Sequence, residues 1–211
     1  MNELKIEDLS CKRGESKVLN NINLTIKSGE TLVVKGRNGS GKTTLLRILS
    51  NFITSYQGKV SLNDLSILED NLYNNKFNLI GQKNSLKDNL SIKKNLELWD
   101  IIFHETLDHT KLLEHDNLDH LINRDVGSLS DGQKKCISLH RLNYNKYEFW
   151  FLDEPFVYLD EVNTNSLIEK INRFNENMGI VILTSNINLP KRFHKEVNIL
   201  SLIHISEPTR H

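Results

Sequence analysis

The chain has 211 residues, 38% of them hydrophobic, and is long enough to bury one core with a small additional subdomain. Its 27 basic and 27 acidic residues balance, which excludes a global electrostatic field that would recruit nucleic acid or anionic lipid. Two distant cysteines, Cys11 and Cys136, favour a reducing cytosol, and the expected lack of a signal peptide or membrane-spanning run leaves membrane contact to a partner.

Two segments of alternating polarity open the chain. Polar and apolar residues alternate over 3–9 and again over 18–26, which predicts two strands that each bury one face. Gly14 and Gly29 mark the turns that follow them. We therefore expect a small antiparallel sheet that leads into an apolar strand at 31–34.

A glycine-rich loop, GRNGSGKTT, follows that strand and precedes an apolar helical run. It matches the pattern G-x-x-x-x-G-K-[ST], in which glycines let backbone N–H groups converge on phosphate oxygens at a helix start. Lys42 is predicted to reach the β- and γ-phosphates, and the Thr43 hydroxyl to ligate Mg²⁺. The alternative is a plain glycine turn before a core helix. The predicted phosphate-binding residues are Gly36, Arg37, Asn38, Gly39, Ser40, Gly41, Lys42, Thr43 and Thr44.

Two further strands are predicted before the chain changes character. Residues 58–62 form one, followed by a turn at Asn63-Asp64, and the short apolar segment 77–81 forms the other. The second strand ends at Gln82. A polar side chain in that position near the phosphate loop is well placed to meet the metal or the attacking water.

Residues 83–128 are more polar and helical in pattern. Leu90, Asn95, Leu96, Trp99, Ile102 and Phe103 lie near helical spacing, which predicts an amphipathic helix, and 107–122 is predicted to be a polar helix. We interpret Trp99 as a core residue rather than as part of a docking surface. Four histidines fit no familiar metal-ligand spacing, so we interpret them as solvated and keep a metal site as the alternative. They are His104, His109, His115 and His120.

The stretch LSDGQ at 129–133 is the second informative motif. Ser130 is placed as an N-cap with Gln133 three residues later, before a helical run at 134–142. A simple capping box is one interpretation. The other is a second helix start that faces phosphate with a hydroxyl, the Gly132 backbone and a helix dipole.

A predicted strand at 148–152, apolar from Phe149 onwards, runs into the carboxylate pair Asp153-Glu154. Two carboxylates at the end of a buried strand are costly unless they meet a cation. Asp153 is predicted to hold Mg²⁺, and Glu154 to act as general base for the attacking water, an effect worth roughly 10²–10⁴ in rate. The alternative is a structural carboxylate cap.

The last part of the predicted core repeats the helix-then-strand order. Asp160 lies on a loop, a helix is predicted over 163–177, and a buried strand over 180–183 ends in Thr184-Ser185-Asn186. Because strands alternate with helices, we expect a mostly parallel sheet that binds a nucleotide at the carboxyl ends of its strands.

These motifs occur in the order found in ATP-binding-cassette (ABC) ATPases, which the chain resembles over residues 1–199. Within that superfamily it looks like the ATP-binding subunit, CcmA, of the haem exporter of bacterial cytochrome c maturation. The stretches that carry the narrower resemblance are 9–14, 36–49, 86–99, 126–135 and 151–156. The resemblance implies an α/β fold: a P-loop NTPase (RecA-like) parallel-sheet core, an N-terminal antiparallel β subdomain and a small helical subdomain inserted at about 83–135.

The resemblance also implies roles for residues outside the phosphate loop. Gln82 would sense the metal and γ-phosphate, and the insert around 85–103 would dock onto an integral membrane subunit, CcmB-like. Such ATPases close as head-to-tail homodimers around two nucleotides, so Ser130, Gly132 and Gln133 would contact the ATP of the other subunit. Asp160 would lie at the dimer seam. ATP and Mg²⁺ are the implied ligands, and the implied location is the cytoplasmic face of the bacterial inner membrane.

The sequence departs from the family pattern at two positions of consequence. Asn186 stands where the family usually has a switch histidine, and an amide is shorter and cannot become cationic. The aromatic residue that often stacks on adenine is absent, with Arg13 or Lys12 in its place. A guanidinium can also stack on a base. Asp131 within LSDGQ is a minor variation.

Three hypotheses for function follow. The first is the energising ATPase of a membrane complex that handles haem for cytochrome c assembly. The second is the ATPase of another small transporter. The third is an ATP-gated clamp with weak hydrolysis, which the loss of a transition-state donor at Asn186 motivates. Nucleic acid is not an expected partner. Residues 200–211 resemble translated sequencing-adapter sequence, and we expect them to be non-native.

Overall fold

The computed structural model describes residues 1–144, 147–186 and 195–199, so the expected non-native tail lies outside the described residues. In the described part, no helix combines the length and apolar character needed to cross a membrane. The strands are β1 (Glu3–Arg13), β2 (Ser16–Lys27), β3 (Thr31–Lys35), β4 (Gln57–Leu62), β5 (Leu65–Ser66), β6 (Phe77–Ile80), β7 (Phe149–Asp153), β8 (Ile180–Thr184) and β9 (Lys195–Asn198). The α-helices are α1 (Lys42–Leu49), α2 (Ile92–Phe103), α3 (His109–His115), α4 (Asp131–Leu139) and α5 (Glu161–Glu176).

The N-terminal strands form the predicted antiparallel sheet, in the order β2-β1-β4-β5 among the described residues. Leu4 of β1 pairs with Ile26 of β2 on one side and with Leu62 of β4 on the other. The alternating apolar residues of β1 are buried in one core with α1 and with one face of the second sheet. This packing places β2 directly beside the phosphate loop.

The second sheet is parallel, with the order β6-β7-β8-β3-β9 within the described part of the chain. The strands β7 and β8 are buried along their whole length, which explains why their sequences are apolar without alternation. Helix α5 covers one face, where Phe174 stacks on Trp150 with ring centroids 3.8 Å apart. The predicted fold class is confirmed, and the edge strand β9 is an element that the sequence did not predict.

Helices α2 to α4 lie between β6 and β7 in the chain and have a core of their own. Trp99 is buried in this core, as interpreted from the sequence. Ile102, one of the residues at the predicted helical spacing, lies off the buried face of α2, with its side chain 62% exposed. Asn95 is buried, and its amide bonds the backbone N–H and carbonyl of Lys87 over 2.7 and 3.1 Å.

The predicted polar helix at 107–122 is wrong in length. Helix α3 ends at His115, because Asn117 adopts a left-handed conformation with φ of 55°. The N–H of Leu118 then bonds the carbonyl of Leu113 over 2.9 Å, which closes the helix end. A single 3₁₀ turn over Asp119–Leu121 follows.

Candidate active site

The phosphate loop connects β3 to α1 and turns through three glycines with positive φ. Gly41 has a φ of 100°, and a Cβ at that position would lie 2.8 Å from the carbonyl oxygen of Val18. Gly41 is also the N-cap of α1, and in the described part of the chain no side chain caps this helix start. The loop therefore presents free backbone donors, as expected for a phosphate cradle.

The Lys42 side chain is folded back over this loop and is only 6% exposed. Its Nζ donates to the carbonyl of Gly36 over 2.7 Å and to Oδ1 of Asn186 over 3.3 Å. It also lies 3.5 Å from Oε1 of Glu154. The ammonium is thus held by acceptors at the place where the loop would receive phosphate.

The Thr43 hydroxyl and the Asp153 carboxylate meet at the carboxyl edge of the parallel sheet. Thr43 Oγ1 donates to Asp153 Oδ2 over 2.8 Å, and Asp153 is buried. These are hard oxygen donors side by side at the end of a cleft, which is the ligand chemistry that Mg²⁺ prefers. The residues present therefore fit the predicted metal.

Of the three predicted catalytic residues, Glu154, Gln82 and Asn186, the structure brings Glu154 and Asn186 into contact. Asn186 Nδ2 lies 3.2 Å from Glu154 Oε1 and also 3.2 Å from Asn38 Oδ1. Glu154 has a left-handed backbone, with φ of 49°. Such strain in a residue with a Cβ is typical of functional sites.

The phosphate loop, Glu154 and Asn186 line one open cleft of about 940 Å³. Gln82 lies in its wall, and it also lines a neighbouring cleft between the sheet and the helical insert. Of the two basic residues proposed near the base, Arg13 lines the nucleotide cleft, whereas Lys12 lines a separate cavity. Of the two residues proposed to stack on the base, Arg13 is therefore the remaining candidate.

The LSDGQ residues are placed elsewhere. Ser130 and Gln133 form a reciprocal capping box on α4, with bonds of 3.2 and 3.0 Å between side chain and backbone. A Cβ on Gly132 would lie 2.8 Å from the carbonyl oxygen of Tyr158. Asp160 caps α5, accepting from the Asn163 N–H over 2.8 Å. Among the described residues that line the nucleotide cleft, none comes from LSDGQ or is Asp160.

Sequence reasoning missed the setting of two residues near the carboxylates. Lys135 of α4 is buried, and burial lowers the pKa of its ammonium, while the charges of Asp153 and Glu154 act in the opposite direction. Thr184 bonds both Asp153 and Glu154. The sequence signal that could have identified Thr184 is a hydroxyl residue at the end of a buried apolar strand.

The interpretation of the four histidines as solvated holds for three of them and is wrong for His109. His104, His115 and His120 are exposed. His109 is largely buried, and its Nε2 lies 2.9 Å from Oδ2 of Asp100, whose other oxygen accepts from the Tyr144 hydroxyl over 2.6 Å. The polar pattern did not reveal this partner, because Asp100 comes from the preceding helix.

Comparison with known proteins agrees with this geometry. The family model described as "ABC transporter" matches residues 19–157. The chain is 34% identical to the cytochrome c biogenesis ATP-binding export protein CcmA of Histophilus somni (strain 129Pt), over 94% of this chain and 93% of that protein. It is also 34% identical to the protein of the same name in Legionella pneumophila (strain Lens), over 89% of this chain and 94% of that protein.

Among solved structures, a dimeric ATP-binding cassette in a post-hydrolysis state with ADP and Pi has a TM-score of 0.77. The match covers 93% of this chain and 94% of that chain at 22% identity, and it shows the fold. The chain therefore belongs to the ABC transporter family, as an ATP-binding subunit of the ATPase class. Within that family it belongs with the CcmA proteins. The family predicted from the sequence is thus confirmed.

Proposed function

We propose that this chain hydrolyses ATP as the energising subunit of an ABC-type membrane complex that serves c-type cytochrome biogenesis. The observation that carries the proposal is one cluster at the sheet edge, where the phosphate loop meets Lys42, Asp153, Glu154 and Asn186. These groups are the parts that phosphoryl transfer to water requires. The relatives named for cytochrome c biogenesis support the biological setting.

In this proposal the side chains divide the work of hydrolysis. The loop N–H groups and Lys42 bind the β- and γ-phosphates. Glu154 accepts the proton of the attacking water, and Asn186 orients that carboxylate through its bond to Oε1. Arg13, in the wall of the cleft, would stack on the base.

Mg²⁺ would be held by Thr43 and Asp153, with Gln82 reaching it from the cleft wall. The two oxygens that would bind it already lie 2.8 Å apart. When bound, Mg²⁺ neutralises the charge that develops on the phosphate oxygens. Burial of Asp153 keeps water from competing for its carboxylate.

The active form would be a head-to-tail homodimer, in which Ser130, Gly132 and Gln133 contact the ATP held by the other subunit. The capped start of α4 is on the surface instead of in the chain's own cleft. Apolar side chains are exposed around Asp160, including Tyr158 at 66% and Val162 at 74%. Exposed aromatic and aliphatic residues of this kind fit a dimer seam.

The membrane subunit, CcmB-like, would dock on the helical insert. Leu98, Ile101 and Ile102 of α2 form an exposed aliphatic surface. Gln82 lines both the nucleotide cleft and the cleft beside this insert, so it can relay the state of the γ-phosphate. The present chain would thus lie at the cytoplasmic face of the inner membrane. Haem, exported or released to an acceptor, would be the cargo of the complex.

One observation favours a second candidate, an ATP-gated clamp with weak hydrolysis. Asn186 stands in the place of the usual switch histidine, and its amide is already engaged by Asn38, Glu154 and Lys42. Loss of one preorganised transition-state donor typically costs roughly 10²–10³ in rate.

Phosphate release by residues 1–199, reconstituted with the membrane subunit, separates the two. We expect the wild-type chain to turn over and Glu154→Gln to lower kcat by roughly 10²–10⁴ while ATP still binds. Asn186→His should change the rate little, as should the control Asn177→His on the exposed end of α5. A nearly inert wild-type chain that binds ATP, with turnover restored by Asn186→His, would establish the clamp instead.

A further inference from the structure

Thr184, the last residue of β8, is a buried hydroxyl without an assigned role. Its relative exposure is 0%. In the sheet register Thr184 pairs with Asp153 of β7 on one side and with Val34 of β3 on the other. It therefore lies between the strand that leads into the phosphate loop and the strand that carries the carboxylates.

Within the described residues, the Thr184 hydroxyl makes one hydrogen bond to Asp153 and one to Glu154. Its Oγ1 donates to Oδ1 of Asp153 over 2.7 Å and accepts from the backbone N–H of Glu154 over 2.8 Å. An ionised carboxylate can only accept and an amide N–H can only donate, so the single hydroxyl proton points to Asp153. The Thr184 side chain thus fixes both the side chain of Asp153 and the backbone of Glu154.

The bond to Asp153 complements the one from Thr43. Thr43 donates to Oδ2 and Thr184 to Oδ1, so both oxygens are oriented. Thr43 is proposed to use its hydroxyl oxygen on Mg²⁺, whereas Thr184 lies behind the carboxylate at the strand end. The Thr184 bond can therefore orient Asp153 both with and without metal, as outer partners of metal ligands do.

The bond to Glu154 acts on a strained backbone. A left-handed φ of 49° is unfavourable for a residue with a Cβ, and it needs surrounding contacts to persist. The Thr184 oxygen satisfies the N–H of that residue. This backbone direction carries the Glu154 carboxylate to 3.2 Å from Asn186 Nδ2.

We propose that Thr184 is a positioning residue for ATP hydrolysis. Its hydroxyl holds Oδ1 of Asp153, which orients the metal-binding Oδ2, and at the same time holds the backbone of the general base Glu154. This role rests on the ATPase activity proposed above. It predicts that the hydroxyl matters for metal affinity and for kcat more than for the binding of ATP itself.

The test compares Thr184→Val, which keeps the shape and removes both bonds, with Thr184→Ser, which keeps the hydroxyl. For Thr184→Val we expect kcat to fall and the Mg²⁺ concentration that gives the half-maximal rate to rise. The product of these two changes should be about 10–100-fold, as for other partners of metal ligands. The KM for ATP should change little. Thr184→Ser should restore both parameters to near the wild-type values.

A second readout is independent of turnover. Mn²⁺ binding to the ADP-loaded chain, followed by electron paramagnetic resonance, should weaken in Thr184→Val and recover in Thr184→Ser. If the wild-type chain does not hydrolyse ATP, the proposed function fails, while this measurement still tests Thr184. If Thr184→Val does not fold, Thr184→Ala against Thr184→Ser isolates the same hydroxyl.

The control is Thr31→Val, at the opposite end of the neighbouring strand β3. Thr31 is also buried, and its hydroxyl accepts from Asn175 Nδ2 over 2.6 Å, far along the strand from the phosphate loop. The variant Thr31→Val should lower the melting temperature of the chain. It should leave the Mg²⁺ dependence of the rate and the affinity for Mn²⁺ unchanged. Wild-type metal dependence in Thr184→Val, or equal impairment of Thr184→Val and Thr184→Ser, would overturn the proposal.

Discussion

The phosphate loop and LSDGQ both begin a helix with a glycine nearby, yet the two helix starts differ in their surroundings. At α1 the N-cap is Gly41, and no side chain among the described residues caps the helix start. At α4 the N-cap is Ser130, which forms a capping box with Gln133. The first helix start faces a cleft lined by Lys42 and Glu154, whereas the second faces solvent.

In the proposed homodimer, this difference would divide the nucleotide site between two chains. A helix start with unsatisfied donors inside a cleft is prepared for an anion, and its own chain supplies the cation and the carboxylates. A helix start that caps itself at the surface is stable without a ligand, so its exposed face is available to a partner's nucleotide. We expect binding of ATP to depend on the first region and dimer closure to depend on the second.

Among the variants that distinguish these two helix starts, the largest effect should come from Lys42→Met, which removes the charge and shortens the side chain by one atom. Charge-assisted hydrogen bonds contribute about 1.5–3 kcal/mol each, so the affinity of the isolated chain for ATP should fall roughly 10–100-fold. Equilibrium titration with a fluorescent ATP analogue measures this.

Lys134→Met on α4 is the matched control. Lys134 bonds Asp88 over 3.1 Å at the surface of the insert, and its loss should leave the ATP affinity of the isolated chain unchanged. Similar losses in both variants would mean that overall charge, rather than the loop, governs ATP binding.

A smaller, selective effect is expected for Gly132→Ala. Its Cβ would lie 2.8 Å from the backbone oxygen of Tyr158, so LSDGQ must shift relative to the Asp160 loop. In a Glu154→Gln background, which retains ATP, the dimer should weaken by about tenfold or more, as for a central interface residue. Sedimentation velocity with ATP measures the dimer.

The chain's own ATP affinity should be unchanged in Gly132→Ala, since Gly132 does not line the nucleotide cleft. Ser128→Ala, on the exposed turn before LSDGQ, provides the control and should dimerise normally. Loss of ATP affinity in the isolated Gly132→Ala chain would remove the distinction between the two regions.

Local patterns made much of this molecule predictable. A few residues of sequence are enough to predict the phosphate loop, the strands β7 and β8 and the capping box. Two of the failures involve partners from elsewhere in the chain: Asp100 for His109, and the pairing of Thr184 with Asp153 and Glu154 across two strands. The helix predicted over 107–122 failed for a local reason, because the left-handed conformation of Asn117 ends α3 at His115. The edge strand β9 was missed because its stability comes from pairing with β3 rather than from an apolar pattern of its own.

The smallest effect is expected from Ser130→Ala, which removes the side chain that caps α4. Loss of the capping box should destabilise the isolated chain by about 1 kcal/mol and lower its melting temperature by about 2–4 °C. Because α4 caps itself, the loss should be the same with and without ADP. Thermal unfolding under both conditions measures it, with Ser128→Ala as control. If ADP abolished the loss, the nucleotide bound within one chain would reach the start of α4, and the division of the site between two chains would be wrong.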